Sequence, residues 1–265
     1  MHNSADVISG AERPSAFGRS GIRLGWLLYC KADAKLQHFF EMYKKNNVFI
    51  CIMQKKVVLL HPIMKKSSII VPDGLQEVLL HACCAPCSSA IVEWLLAHDI
   101  KPTIFYYNPN IFPREEYEIR KNESKRHAQS LGIEWIDGDY NHEAWLYDVK
   151  GLEAEPERGK RCELCFYHRL FATARKAQEM DIPFFATTLA SSRWKNLEQI
   201  NAAGLKAEYM VNRYPADSVV HEPVHFWAQN WRKDGLQERR NELLKQYNFY
   251  NQLFCGCEFS QRQNL

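Results

Sequence analysis

The chain has 265 residues, 46% of them hydrophobic, which is enough apolar material for one sizeable α/β domain, alone or with extensions. A formal net charge of +3 does not announce a nucleic-acid binder, so any such surface has to come from local clustering. Nine cysteines, odd in number and clustered, argue against a disulfide framework and for metal or redox chemistry. With no signal-peptide pattern and no apolar run near the ~20 residues that cross a bilayer, the expectation is a soluble, cytoplasmic protein without membrane association.

Residues 1–70 fit poorly with the rest of the chain. Apolar islands at 24–29, 48–53 and 57–60 alternate with Lys-rich links and sustain neither a helical nor a strand period. Cys30 and Cys51 stand without partner spacing and are expected to be inert. Met64 opens Met-Lys-Lys, an alternative start, and residues 1–70 are expected to be a poorly ordered extension or a start-site artefact. Residues 71–265 are expected to form a single α/β domain.

From Glu77 the pattern is regular. A strand at 78–81 leads into His81-Ala-Cys-Cys-Ala-Pro-Cys-Ser-Ser89, which puts three thiols into five residues before a helix expected over 89–98. Loops leaving the carboxyl ends of parallel strands bind ligands, and a helix N-terminus lowers a thiol pKa, so Cys83, Cys84 and Cys87 are expected to be poised as thiolates. A second strand (103–107), a turn loop Asn108-Pro-Asn-Ile-Phe-Pro113, a charged helix (114–131) closed by Gly132, a short strand (134–136) and a helix (142–150) come next. This alternation implies parallel βαβ units.

Cys162 and Cys165 open a helix expected from 161 to about 180, where a Cys-x-x-Cys spacing puts two sulfurs on one side of one turn. With Cys83 and Cys84 they supply four thiolates from two segments, enough for a cube-type iron-sulfur cluster or a zinc site. A strand at 184–189, a loop Ala190-Ser-Ser-Arg-Trp-Lys195, a helix at 196–207, an irregular stretch at 210–225 and a helix at 236–247 lead to Cys255-Gly-Cys257. That pair suits a strained, labile redox disulfide; metal ligation or a free tail are the alternatives. Local charge at Arg158, Lys160, Arg161, Arg169, Arg193, Lys195, Arg232, Lys233, Arg239 and Arg240, interleaved with Trp227 and Trp231, could track phosphates and stack an unpaired base.

Five ordered motifs carry a resemblance: His81-Ala-Cys-Cys-Ala-Pro-Cys87; Tyr107-Asn-Pro-Asn-Ile111 with Glu116-Tyr117; Glu157-Arg-Gly159 with Arg161-Cys162-x-x-Cys165; Ser192-Arg-Trp-Lys195; and Cys255-Gly-Cys257. Over about residues 75–260 the chain closely resembles the QueH family of epoxyqueuosine reductases. The resemblance implies reductive removal of the epoxide oxygen of epoxyqueuosine at the tRNA wobble position, the last step of queuosine synthesis. It implies a doubly wound parallel sheet like the adenine nucleotide α-hydrolase (HUP) domains, with a C-terminal helical extension. It further implies a 4Fe-4S cluster on Cys83, Cys84, Cys162 and Cys165 and a redox-active disulfide between Cys255 and Cys257, with tRNA and an unidentified electron donor as partners. Cys87 and Asp139 are candidate ligands for an additional iron, and Glu116, Tyr117 and Tyr107 are candidate proton donors. An ATP-dependent phosphate-loop enzyme is disfavoured because three cysteines occupy the place of a Ser-Gly-Gly loop. A zinc-stabilised RNA-binding protein would leave Cys87 and the terminal pair idle.

Overall fold

A computed structural model of the chain describes residues 49–53, 56–60, 68–215 and 221–261. The chain divides into two units, Met1–Pro62 and Ile63–Leu265. In the first unit, β1 (Phe49–Met53) and β2 (Lys56–Leu60) pair antiparallel, with Phe49 opposite Leu60. These strands occupy two of the three apolar islands; the rest of the expected extension up to residue 67 lies outside the described residues.

The second unit is built on one all-parallel five-stranded sheet in the order β5-β4-β3-β6-β7. Its central strand, β3 (Glu77–His81), carries the apolar run Val78-Leu79-Leu80, each fully buried, as a strand covered on both faces requires. The chain then winds outward through α1 (Ala85–Ala97), β4 (Lys101–Tyr106), α2 (Arg114–Ser130) and β5 (Trp135–Asp137). It returns through α3 (His142–Asp148) and α4 (Lys160–Glu179) to β6 (Phe184–Thr187) on the other side of β3. A 3-10 turn (Thr188–Ser191), α5 (Leu197–Arg213) and β7 (His225–Phe226) complete the sheet, and α6 (Leu236–Gln246) and α7 (Glu258–Gln261) form the helical extension. The winding direction reverses at β3, and a parallel strand order that reverses in this way puts helices on both faces of the sheet. The expected doubly wound α/β architecture is what the chain adopts.

Several boundaries move for identifiable reasons. Helix α1 begins at Ala85 rather than at 89, because Pro86 is accommodated in the first helical turn, where a missing N–H costs nothing. Helix α5 runs six residues past 207, and β7 emerges from the stretch expected to be irregular. Two residues of β7 pair with β6 at Phe184 and Phe185, too short a run to leave a period in the sequence. Trp227 and Trp231 do not stack nucleotides. They are 4% and 1% exposed, and they cluster with Trp94. Their indole N–H groups donate to the carbonyls of Ile70 and Thr187 at 3.0 and 3.1 Å. The Asp234 carboxylate accepts from the amides of Ser68 and Ile69, which fastens the start of the second unit to the loop before α6.

Candidate active site

The site lies where β3 and β6, the strands on either side of the winding reversal, release their loops. This is the crevice in which open α/β sheets hold ligands. His81 ends β3 fully buried. Its Nε2 donates to the Tyr107 carbonyl (3.0 Å) and its Nδ1 accepts from the Thr187 hydroxyl (2.9 Å), tying three adjacent strands together. Burial, reinforced by the Arg169 charge, lowers the His81 pKa to about 4, so the ring is neutral. On the next strand's loop, Asn108 donates to the Ala82 carbonyl at 2.9 Å and accepts from Arg169.

Two residues on, the sulfurs of Cys83, Cys84 and Cys87 lie within 4.8 Å of one another, the Cys83–Cys84 pair at 3.9 Å. Cys84 is the N-cap of α1 and Cys87 lies in its first turn, so the positive end of the helix dipole faces all three. The Cys83 thiol is held well below the usual thiol range by hydrogen bonds from Cys84 and Cys87, and the Lys195 charge and Thr188 hydroxyl assist. Sharing those hydrogen bonds pushes Cys84 up, and Cys87 up to about 11. Within the triple Cys83 is the thiol that ionises most readily, because like charges this close oppose one another. Thr188, the first residue after β6, bridges the crevice: its hydroxyl donates to Cys83 Sγ at 3.5 Å and accepts from the Cys83 amide at 3.2 Å.

The second pair comes from α4. Cys162 lies in its first turn, with the Arg158 amide 3.3 Å from its sulfur, and Cys165 follows one turn later. Burial raises Cys162 to about 11 and also raises Cys165. Cys165 packs with Trp145, Val149, Phe259 and Cys257, which brings the terminal pair to this helix. Burial, with Cys165 adding to it, raises Cys257 to about 12. Cys255 and Cys257 stand as free thiols, as do the other five described cysteines.

Helix α2 holds that terminal segment in place. Arg120, 2% exposed, pairs with Glu116 and donates Nη1 to the Cys255 carbonyl (3.1 Å) and Nη2 to the Phe254 carbonyl (3.2 Å). Tyr250 donates its hydroxyl to the other Glu116 oxygen at 2.8 Å. Gly256 has φ +113°, and a Cβ there would come within 2.9 Å of Ile111, so the residue between the two cysteines is required to be glycine. Gln252 closes the link to the first loop by donating to Cys84 Sγ at 3.0 Å.

Two cations face these sulfurs. Burial penalises the Lys195 ammonium, but Cys255, Cys83 and Cys87 together outweigh that and hold it above its ordinary value. Arg169, 2% exposed, is likewise sustained against burial by Cys165, Cys255, Cys83 and Cys162, and its Nη2 is buried without a partner. A buried, sulfur-lined crevice with an orphaned cationic donor fits an anionic, sulfur-rich group. Among the described residues, Cys83, Cys84 and Cys87 form a group that could hold a metal, with their sulfurs within 4.8 Å of one another; Asp139 is exposed and lies near Tyr107, whose phenol pKa is raised by burial first and Asp139 next.

Among the candidate proton donors, Glu116 is committed to Arg120 and Tyr250, and Tyr117 is 1% exposed among Tyr106 and Tyr140. Tyr107 hydrogen-bonds His168 Nε2 at 2.8 Å, and His168 Nδ1 pairs with the exposed Asp148 at 2.6 Å. The sequence motifs do not single out His168, and they flag Arg169 only as a basic residue, although both follow Cys165 at the i+3 and i+4 spacing that places them on its helical face. Gln252 and Arg120 carry no comparable signal. Of the basic residues flagged, Arg161 is buried and donates to the carbonyls of Leu152, Glu153 and Glu155, and Arg239 pairs with Glu93.

The sequence profile described as epoxyqueuosine reductase QueH matches residues 78–263. The epoxyqueuosine reductase QueH of Haemophilus influenzae is 44% identical over 193 residues, covering 73% of this chain and 75% of that protein. The Acinetobacter baylyi protein of the same name is 44% identical over 72% of this chain and 83% of its own length. That of Thermotoga maritima is 34% identical over 69% of this chain and 89% of its own.

Proposed function

Because the chain belongs to the epoxyqueuosine reductase QueH family, we propose that it removes the epoxide oxygen of epoxyqueuosine at the wobble position of tRNA, the last step of queuosine biosynthesis. The observation that carries this reading is the convergence of three thiol segments: Gln252 joins the C-terminal loop to Cys84 beside Cys83 and Cys87, and Cys257 packs with Cys165 of α4. Opening an epoxide to an alkene consumes two electrons and two protons and releases water. A Cys255/Cys257 dithiol passing to its disulfide supplies both electrons and both protons, and a cytoplasmic electron donor then restores it.

Cys83, Cys84, Cys162 and Cys165 would hold a 4Fe-4S cluster, which when bound delivers electrons one at a time. Around it, Arg169 and Lys195 offset the negative charge of the sulfurs, Thr188 and Gln252 orient Cys83 and Cys84, and Arg120 presents the terminal pair. Cys87 lies with Cys83 and Cys84, which supports a further metal role for it, with Asp139 the candidate oxygen ligand of an additional iron. No helix among the described residues is long and apolar enough to cross a membrane.

The test is iron, sulfide and zinc content with a visible spectrum on protein purified without air. Roughly four irons and four sulfides, with a brown chromophore lost in Cys162→Ser, are expected, together with reduction of epoxyqueuosine-bearing tRNA. Iron in excess of four that falls in Cys87→Ala and Asp139→Ala identifies the second site; unchanged iron and activity in both variants removes it. Stoichiometric zinc without a chromophore overturns the reductase mechanism.

A further inference from the structure

At the mouth of the crevice the turn Ser192-Arg193-Trp194-Lys195 closes with the Lys195 amide on the Ser192 carbonyl at 3.2 Å. Trp194 at its tip is 68% exposed, whereas Trp227 and Trp231 are buried. The Arg193 guanidinium lies 5.3 Å over its ring. Nothing in the core requires an indole here, yet the turn is firmly built. Arg158 donates Nε to the Trp194 carbonyl at 2.9 Å, Arg232 donates Nη2 to the Lys195 carbonyl at 2.8 Å, and Gln237 holds the Ser191 carbonyl.

The charge here is unbalanced. Arg158 and Arg232 lie close enough that, after burial, the Arg158 charge is what lowers the Arg232 pKa. Both spend hydrogen bonds on neutral carbonyls, Arg232 Nε is buried without a partner, and no described carboxylate pairs with Arg158, Arg193 or Arg232. Cations crowded together without counterions favour a polyanion, and an exposed ring beside them favours one with flat, unstacked faces. Arg158, whose Nε holds the Trp194 carbonyl, gives its own amide to the Cys162 sulfur at 3.3 Å, so whatever lies on Trp194 is adjacent to the reacting centre.

Building on the reductase reading, we propose that this turn is the landing surface for the tRNA anticodon loop: Trp194 stacks on an unpaired base beside the modified nucleoside, and Arg158, Arg193 and Arg232 hold flanking phosphates. A nucleoside that reacts inside the crevice has to leave its stack, and an indole at the rim replaces the stacking lost by its neighbour.

The test measures binding of epoxyqueuosine-bearing tRNA, and of its isolated anticodon stem-loop, across a salt series, alongside turnover. Trp194→Ala is expected to weaken both about tenfold, with Trp194→Phe restoring most of the loss. Arg193→Gln and Arg158→Gln are each expected to lower the slope of log K against log salt by about 0.7, one single-strand phosphate contact. Lys101→Gln, at the opposite end of β4, is expected to change neither. Trp194 is exposed, so its truncation leaves the core intact, which a thermal melt checks. Wild-type binding and turnover with unchanged affinity and slope in the variants overturns this surface but not the reductase reading. Failure of the wild type to bind or reduce the tRNA overturns both. Unchanged tRNA binding with turnover slowed only when a protein donor, rather than dithionite, supplies electrons would overturn the proposal in favour of a donor-docking site.

Discussion

At the scale of single residues, the molecule repeatedly places a charged or polar side chain where burial would penalise it unless a specific partner is present. Arg120 has Glu116 and two carbonyls, while Arg169 has Asn108 and the thiols. His127 is the exception that costs stability. It is 4% exposed, set edge-on against Tyr247 and Phe249 at 5.1 and 5.0 Å, and burial together with the Arg126 charge lowers its pKa from 6.5 to about 4. A depressed histidine pKa means that, as pH falls from 6.5 towards 4, the unfolded chain takes up a proton that the folded chain refuses. The stability present above pH 6.5 is therefore lost across that window, by about 1.4 kcal/mol per pH unit near its acid end. Urea midpoints measured from pH 7.5 to 4.5 are expected to fall less steeply in His127→Phe than in the wild type.

At the scale of elements, helix α4 carries most of the logic of the site. Cys162, Cys165, His168 and Arg169 recur every three or four residues, so one face presents two sulfurs, a hydrogen-bonded imidazole and a buried cation. Its neighbour α5 lies so close to β7 that a Cβ on Gly204 would collide with the Phe226 ring. Gly204→Ala gains about 1 kcal/mol in helix propensity but has to displace that ring, and overpacking of this kind costs about 1–3 kcal/mol. A net loss in denaturant midpoint is expected, partly relieved in the double variant with Phe226→Leu, which opens the space. Asn196 sets the start of the same helix by accepting from the amides of Glu198 and Gln199, and it thereby fixes where the Ser192–Lys195 turn ends.

At the scale of the whole molecule, the order β5-β4-β3-β6-β7 puts the loops of β3, β4 and β6 at one end of the sheet, and α4 and the C-terminal segment close over them. All seven of the free cysteines described belong to the unit Ile63–Leu265. A chain begun at Met64 is therefore expected to unfold in one transition, with the same chromophore and the same turnover as the full chain. Loss of either would show that Met1–Pro62 contributes to the site, and intact-mass analysis of the natively expressed protein decides which start is used.

The linear order of residues was enough to establish the βαβ alternation, the thiol loop after β3, the Cys-x-x-Cys on α4 and the terminal pair. Each is a local pattern whose period or spacing comes from backbone geometry. Locality also explains the misreadings. Trp227 and Trp231 sit among basic residues in the sequence, but they belong to the core, because indole surface is buried whenever a neighbour such as Trp94 is available to cover it. Two-residue β7 leaves no period to read, and Pro86 reads equally well as a turn or as the first turn of a helix. Folding in three dimensions was needed to pack Cys257 with Cys165, and to let Arg120 on α2 grip a segment 135 residues away. It also set Lys195 within electrostatic reach of the thiols while leaving Trp194, its neighbour in the chain, exposed. Those outcomes depend on contacts between distant segments and on which charges lose their water, and neither is encoded in any one stretch of residues.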